Sequence, residues 1–251
     1  MGKYIASVSF GKDSLAMLLY ILENKLPLDE VVFYDTGMEF QAIYDVRDKV
    51  LPILQDAGVT YTELKPEKTF EYMMFDVPHK GKRDGIVRYG YGWCGGGCRW
   101  GTAWKTQTIN KYIGDSVDLH YIGIAADEPK RLARLERPKF ALLDEVGMDE
   151  QSCLEYCRKR GFSWKENAVD LYEILDRVSC WCCGNKNLKE LYNIYVYLPH
   201  YWAKLKALQC AISRPYRRDG KTIDDLEEIF HRKRLCELQS KRSHESKEDK
   251  P

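Results

Sequence analysis

Apolar residues along this chain fall into short runs separated by polar turns. Tyr4 to Ser9 is a β-prone run, and Ser14 to Leu22 (SLAMLLYIL) is almost wholly apolar over a helix length, so the first segment reads as strand, polar turn and buried helix. Glu30 to Tyr34 reads as a second strand, Phe40 to Leu54 as a helix with Pro52 near its end, and Val59 to Leu64 as a third strand. This β-α-β-α-β alternation predicts a parallel sheet with right-handed crossovers. Trp100 to Tyr112 reads as a further helix and Leu119 to Ile124 (LHYIGI) as a later strand. The glycine-rich, basic stretch from His79 to Gly101 has the length of an active-site loop rather than a plain connector.

After about Leu143 the pattern changes to shorter helices, Asp149 to Arg160, Asn187 to Tyr197 and Pro199 to Ala211, with Asp149 as N-cap of the first. The expected organisation is an α/β domain over 1–143 with a doubly wound, mostly parallel sheet, then a smaller helical, cysteine-bearing region over 144–232. Residues 233–251 read as a charged, disordered tail, because KRSHESKEDKP has too little apolar area to order itself. Internal repeats are not evident.

Composition adds few constraints. The 251 residues can bury a substantial core, and Lys plus Arg (39) nearly balance Asp plus Glu (38), so nothing in the overall charge forces a nucleic-acid or membrane partner. The first eight residues are too short and too weakly apolar for a signal peptide, and no later run has the length of a membrane span. A cytoplasmic location is expected. Nine cysteines are many for such a protein, and clustered cysteines in a reducing compartment more often hold metal or do chemistry than form bridges.

The turn Ser9-Phe10-Gly11-Lys12-Asp13-Ser14 joins the first strand directly to a helix. Such a turn aims free backbone N–H groups and the positive end of the helix dipole at one point, which suits a phosphate. Gly11 permits close approach, Lys12 adds a cation, and Ser9 and Ser14 offer hydroxyls. The Walker pattern does not fit, since Ala6 stands at its first glycine and Asp13 follows the lysine.

Two close cysteine pairs stand out. Cys180-Trp181-Cys182-Cys183 encloses an extra thiol, and Cys94 and Cys98 flank three glycines, so Cys94, Cys98, Cys180 and Cys183 make a four-thiolate ligand set. Cys153 and Cys157, four apart on one helix face, could replace the earlier pair, while Cys210 and Cys236 read as buried small hydrophobes. An all-thiolate site suits a [4Fe-4S] cluster or Zn2+. Tyr192, Tyr195, Tyr197, Tyr201 and Trp202 read as helix faces packed on a core. The basic runs Lys80-Gly81-Lys82-Arg83 and Arg214-Pro215-Tyr216-Arg217-Arg218 read as solvated surface, although either could track a phosphate backbone.

The string SFGKDS resembles the SGGKDS signature of the PP-loop (adenine nucleotide alpha hydrolase) superfamily, with Phe10 in place of the first glycine. DTGMEF (35–40), RWGT with Lys105, and GIAADE (123–128) resemble, in the same order, the DTG-x-EF, RWCT-x-x-x-K and G-I-R-x-D-E segments of the phosphoadenosine phosphosulfate (PAPS) reductase branch. The resemblance covers roughly the first 140 residues and implies a role for each matching position. Ser9, Gly11, Lys12, Asp13 and Ser14 would hold phosphates of ATP or another adenylyl nucleotide, with Asp35 and Gly37 bordering it. Arg99 and Lys105 would serve a second anionic group, and Asp127, Glu128 and Arg131 would close the far side, the carboxylates meeting Mg2+ if the ligand is ATP. Catalytic roles fall to Lys12, Asp13, Arg99 and Lys105. The resemblance also places a GCxxCP-like segment at Ser179 to Gly184, where some PP-loop proteins hold a [4Fe-4S] cluster and others a zinc, and the sulfur chemistry of the family favours the cluster.

Three departures stand against reductase activity proper: Gly101 replaces the RWCT cysteine, Ala125 replaces the G-I-R arginine, and the ECGLH-type segment with the reductases' catalytic cysteine is missing, Cys236 lying in LCELQ. The implied function is therefore an adenylyl-nucleotide-dependent enzyme that activates or transfers sulfur, working with a redox or sulfur-donor protein. PAPS or adenylyl-sulfate reduction, and a nucleotide-sensing or nucleic-acid-binding module with structural metal, are the alternatives.

Overall fold

Five strands, β1 (Tyr4–Ser7), β2 (Glu30–Tyr34), β3 (Thr60–Leu64), β6 (Leu119–Ile122) and β7 (Lys139–Phe140), form one all-parallel sheet in the order β3-β2-β1-β6-β7. The computed structural model describes residues 2–81, 83–93, 98–115 and 117–248, without the side chains of 99 and 241–248. Helix α1 (Lys12–Glu23) links β1 to β2, and α2 (Gln41–Asp56) links β2 to β3. Both crossovers step the same way along the sheet, so right-handedness puts both helices on one face. β6 returns to the other side of β1, and α3 (Trp104–Ile113) before it covers the opposite face, where Ile109 packs with Ile5, Val32, Tyr34 and Val117. The expected α/β class with a mostly parallel sheet is the one observed.

β2 is buried along its whole length, as a central parallel strand covered on both faces must be. α3 starts later than Trp100: Arg99–Ala103 form a π-helical turn whose preceding residue, Cys98, accepts the N–H of Gly101 on its sulfur.

The chain divides into two units. The first holds Met1–Phe70, Gly97–Glu173 and Arg177–Trp181, and so includes the sheet. It also carries the single-turn helices α4 (Pro129–Leu132) and α5 (Leu142–Glu145), helix α6 (Glu150–Lys159) packed on α1, and the ribbon β8 (Lys165–Glu166) and β9 (Val169–Asp170). α6 starts as expected, with Asp149 accepting the N–H of Ser152 at 2.7 Å.

The second unit holds Glu71–Gly96, Ile174–Asp176 and Cys182–Pro251. Short helix α7 (Leu171–Ile174) ends at its border. Within the second unit, β4 (Pro78–Lys80) and β5 (Val87–Tyr89) pair as an antiparallel hairpin inside the stretch expected to be loop, and α8 (Leu188–Tyr197), α9 (Pro199–Cys210) and α10 (Ile223–Glu248) pack together. An Asn187–Glu190 capping box starts α8. Tyr192, Trp202 and the half-buried Tyr195 pack around Phe230, and Tyr201 is buried as well, bearing out the core reading for these four, whereas Tyr197 is exposed. The region from 233 to 248 is helical, not the disordered tail the sequence suggests. Glu237 binds the Tyr192 hydroxyl, and the spacing of Arg232 and Lys233 from Glu228 and Glu237 adds ion pairs along the helix. Cys210 and Cys236 are exposed, correcting their assignment as buried hydrophobes.

His120 on β6 is buried, 3% exposed, with Nε2 2.7 Å from the Ser7 hydroxyl. Burial, helped by the charge of Lys139, lowers its pKa from 6.5 to about 4. The unfolded chain therefore takes up the proton first as pH falls. The stability tied to neutral His120 is fully present above about pH 6.5 and is lost as pH drops toward 4, reaching about 2 kcal/mol at pH 5. Urea unfolding at pH 7.5 and pH 5 should show this loss, and His120→Gln should reduce the difference. An equal loss in both proteins would assign it to other groups.

Candidate functional site

The turn Ser9–Gly11 stands at the carboxyl end of β1, the strand flanked by β2 and β6, on which the direction of winding reverses. Crevices at such reversals are where open parallel sheets bind ligands. Gly11 is the N-cap of α1 and no side chain caps the helix. The Lys12 N–H donates to the Tyr172 hydroxyl at 2.8 Å, while among the described residues the N–H groups of Asp13 and Ser14 have no hydrogen-bond partner. The Ser14 hydroxyl accepts the N–H of Ser9 at 3.1 Å and donates to the Gly11 carbonyl at 3.1 Å, folding the turn on itself. The Ser9 hydroxyl lies 3.1 Å from that of Ser14.

Phe10 explains why glycine is usual at its position: its φ is +57°, in the left-handed region. Its ring is fully buried, edge-on to Phe33 at 5.1 Å, and its carbonyl accepts Trp164 Nε1–H at 2.7 Å. Packing and this hydrogen bond hold the strained backbone. Gly123, just past β6, approaches the turn from the other side. A Cβ there would lie 2.6 Å from Ser14 Cα, closer than real contacts allow, so only glycine lets the GIAADE segment reach the turn.

Lys12 is nearly buried, and its Nζ lies 2.8 Å from Asp13 Oδ1 and 2.6 Å from Glu150 Oε2. Burial opposes its charge, but the two carboxylates outweigh burial and raise its pKa, so Lys12 is a cation. Asp13 is raised chiefly by burial, with repulsion from Glu150 and Glu128 adding to it against the pull of Lys12. Asp127 Oδ1 accepts the N–H of Glu150 at 3.2 Å, tying the β6 turn to the start of α6. Glu128 is paired with Arg131 at 2.5 Å.

Beyond β2, Asp35 accepts the Gly37 N–H at 2.8 Å and the Tyr44 hydroxyl at 2.7 Å, and Gly37 has φ +71°. The same segment meets a cysteine: Cys180 Sγ lies 3.6 Å from Thr36 Oγ1 and 3.7 Å from Glu39 Oε1. The Trp181 N–H donates to the Met38 carbonyl at 3.0 Å, holding that cysteine segment beside DTG.

The predicted residues Ser9, Gly11, Lys12, Asp13, Ser14, Asp127 and Glu128 are thus connected through shared bonds and charges. Lys105 sits half-buried in the first turn of α3, and among the described residues it has no hydrogen bond or ion pair with the turn. The Arg99 side chain and all of Cys94 lie outside the described residues. Cys98 and Cys180 belong to the first unit and Cys183 to the second. Among the described residues no group of three or more His, Cys, Asp or Glu is placed to hold a metal ion. Cys153 and Cys157, the substitute ligands, are wholly buried in α6, and burial pushes the Cys157 thiol up to about 12, with Cys153 raised as well. Cys157 donates to the Lys12 carbonyl at 3.4 Å, so this pair supports the turn as packed thiols.

Sequence reasoning missed Glu150, Tyr172 and Trp164. Glu150 had a signal, the N-cap at Asp149 that puts position 150 in the first turn of a helix. The other two had none, because their contacts span 154 to 160 residues of chain.

An open parallel sheet with a phosphate-type turn at the reversal strand, and further motif turns at the ends of both neighbours, is the architecture of PP-loop, adenine nucleotide alpha hydrolase-like proteins. Residues 3–141 match the phosphoadenosine phosphosulfate reductase domain, over half of the chain, and the chain belongs to that family. It is similar to two uncharacterized proteins of Methanocaldococcus jannaschii, MJ0973 (29% identity over 171 residues) and MJ0066 (26% over 208). These matches take in 68% and 80% of this chain but 32% and 40% of the relatives, so the chain spans well under half the length of either. Among solved structures it is similar to the U34-tRNA thiolase NcsA from Methanococcus maripaludis with its [4Fe-4S] cluster, at 16% identity and a TM-score of 0.39, covering 66% of this chain and 58% of that one. Among the described residues no helix is long and apolar enough to cross a membrane.

Proposed function

We propose that this chain binds ATP or a related adenylyl nucleotide at the Ser9–Ser14 turn and uses it to activate or transfer sulfur. The observation that carries the proposal is the cationic Lys12 beside uncapped N–H groups of α1, with the β6 turn pressed against the same helix start through Gly123. In the ATP version an acceptor nucleophile attacks the α-phosphorus, the bond from that phosphorus to the bridging oxygen breaks, and pyrophosphate leaves. Lys12, the loop amides and the Mg2+ accompanying ATP stabilise the charge that develops. Asp35 and Gly37 border the nucleotide, Asp127, Glu128 and Arg131 close its far side, and Arg99 and Lys105 meet a second anionic group.

The test compares pyrophosphate release from ATP with sulfite release from PAPS or adenylyl sulfate in the presence of a thiol reductant. Pyrophosphate without sulfite supports the proposal. Sulfite release would assign the chain to reduction proper, and binding without turnover of any nucleotide would make it a sensor.

Glu150 gives this site an internal competitor. It is half-exposed and shares Lys12 with any incoming phosphate. Glu150→Gln removes a screened repulsion of up to about 1 kcal/mol, so ATP should bind up to about fivefold more tightly by calorimetry. Weaker binding would mean that Glu150 instead orients Lys12.

The cysteine reading we adopt is a [4Fe-4S] cluster on Cys94, Cys98, Cys180 and Cys183, with Zn2+ as the other candidate. Its support is the spacing of the two pairs and the place of Cys98 at the start of a turn whose Gly101 N–H its sulfur accepts. When bound, a cluster supplies redox or sulfur-binding chemistry. Anaerobic purification should give about four irons with matching sulfide. One zinc per chain would make these cysteines structural, and metal-free folded protein would refute the ligand set.

A further inference from the structure

The two basic runs, far apart in sequence, lie in one unit and are joined there. Residues 80–88 and 214–221 contain eight basic and two acidic positions, in a chain whose net charge is only +1. Beyond the β4–β5 hairpin, Gly92 and Trp93 pack on the second run. The Trp93 and Tyr216 rings meet edge-on at 4.8 Å, and a Cβ on Gly92 would come within 2.8 Å of Arg214 Cδ. Gln209, itself buried, holds the second run in shape by donating to the Ile212 and Arg214 carbonyls at 2.9 and 3.1 Å.

Asp84 neutralises Arg88 at 2.6 Å, and Asp219 serves Arg217 and Lys221. Among the described residues Lys80, Arg83, Arg214 and Arg218 have no acidic partner. The register pairs Pro78 with Tyr89 and Lys80 with Val87, and cross-strand partners share a face, so one face carries Lys80, Val87 and Tyr89 together. Tyr89 is 69% exposed, and Ile86 and Val87 are 57% and 49% exposed. Outward aromatic and aliphatic groups among unpaired cations are costly on a hairpin with no partner.

We propose that this surface docks a single-stranded nucleic acid, with Lys80, Arg83, Arg214 and Arg218 meeting phosphates and Tyr89 stacking on a base. Charge complementarity makes the occupant a polyanion, and the flat exposed ring among cations suits unpaired bases. An anionic membrane would engage the hairpin tip and leave unused Arg214, which meets Gly92 past the end of β5. The proposal does not rest on the nucleotide reading, since the surface lies wholly within the second unit and is tested without ATP.

The test is fluorescence anisotropy of labelled single-stranded RNA and DNA of about 20 nucleotides, with the full chain and no nucleotide. Affinity should fall with salt at a log–log slope near about −3, the value for four phosphate contacts on a single strand. Lys80→Glu with Arg83→Glu, and separately Arg214→Glu with Arg218→Glu, should each weaken binding about tenfold or more and flatten that slope. The milder Lys80→Gln with Arg83→Gln guards against misfolding and should act in the same direction. Tyr89→Ala should weaken binding about tenfold with the slope unchanged. Lys49→Glu with Lys159→Glu, the same charge change on exposed helix positions of the other unit, should leave binding within about twofold. An equal loss in that control, no binding at low salt, or preference for phosphatidylserine vesicles over both oligonucleotides would overturn the proposal.

Discussion

Lys12→Ala is expected to lower pyrophosphate release from ATP by about a hundredfold or more, the range seen when one preorganised donor to a developing oxyanion is removed. Two effects act together. The cation beside the free N–H groups of α1 disappears, and the carboxylates of Asp13 and Glu150 that it balanced are left facing the phosphates. Nucleotide affinity should fall along with the rate. Lys12→Arg separates charge from geometry: a guanidinium restores the charge but does not fit the nearly buried position of Nζ, so it should recover affinity more than rate. Single-turnover kinetics with calorimetry on the same preparations checks both, with circular dichroism confirming the fold. Pyrophosphate release unchanged in Lys12→Ala would show that chemistry does not occur at this turn.

The second large effect concerns stability. Phe10→Ala should destabilise the chain by about 4 kcal/mol, because it removes a fully buried ring and keeps the left-handed backbone. Phe10→Gly loses the same ring but relieves about 1–2 kcal/mol of strain, so it should be the more stable variant although glycine is smaller. Urea unfolding of the three proteins measures the order wild type, glycine, alanine. Alanine equal to or above glycine would show that φ at position 10 carries no strain. The same variants bear on the site, since glycine keeps the turn conformation and should retain nucleotide binding wherever the protein remains folded.

Much of the sheet was legible because its signals are local. The apolar runs of β1, β2, β3 and β6 and of α1 lie within a few residues of the expected positions, and α2 follows its expected span with Pro52 inside it. The turn at Ser9–Ser14 was legible for the same reason, since strand, glycine, lysine and helix are contiguous. The two-residue strands β7, β8 and β9 were not, because two residues show no periodicity and pairing alone defines them. The β4–β5 hairpin was hidden by three-residue strands and an intervening glycine-rich turn. The helix from 223 to 248 was underestimated because its support comes partly from Tyr192, an aromatic residue on another helix.

The cysteines show where local spacing gives out. Cys153 and Cys157 share one helix face, as the four-residue interval requires, but that face points inward against α1, and burial keeps both thiols protonated. Cys210 and Cys236 belong to helices with the same periodicity and face outward. Periodicity groups residues on a face and is silent on what covers it.

By itself, then, the sequence determined the parallel α/β class, the phosphate-type turn and the order of the four motif segments, because chain geometry and glycine sterics are set within a few residues. The tertiary structure alone decided that Glu150 shares Lys12, that Tyr172 and Trp164 hold the turn, that Gly123 must be glycine because it meets Ser14, and that Cys180 stands beside Thr36 and Glu39. Each of these is a contact between segments separated by about a hundred residues or more, and only packing of the later segments onto the sheet unit brings them within reach.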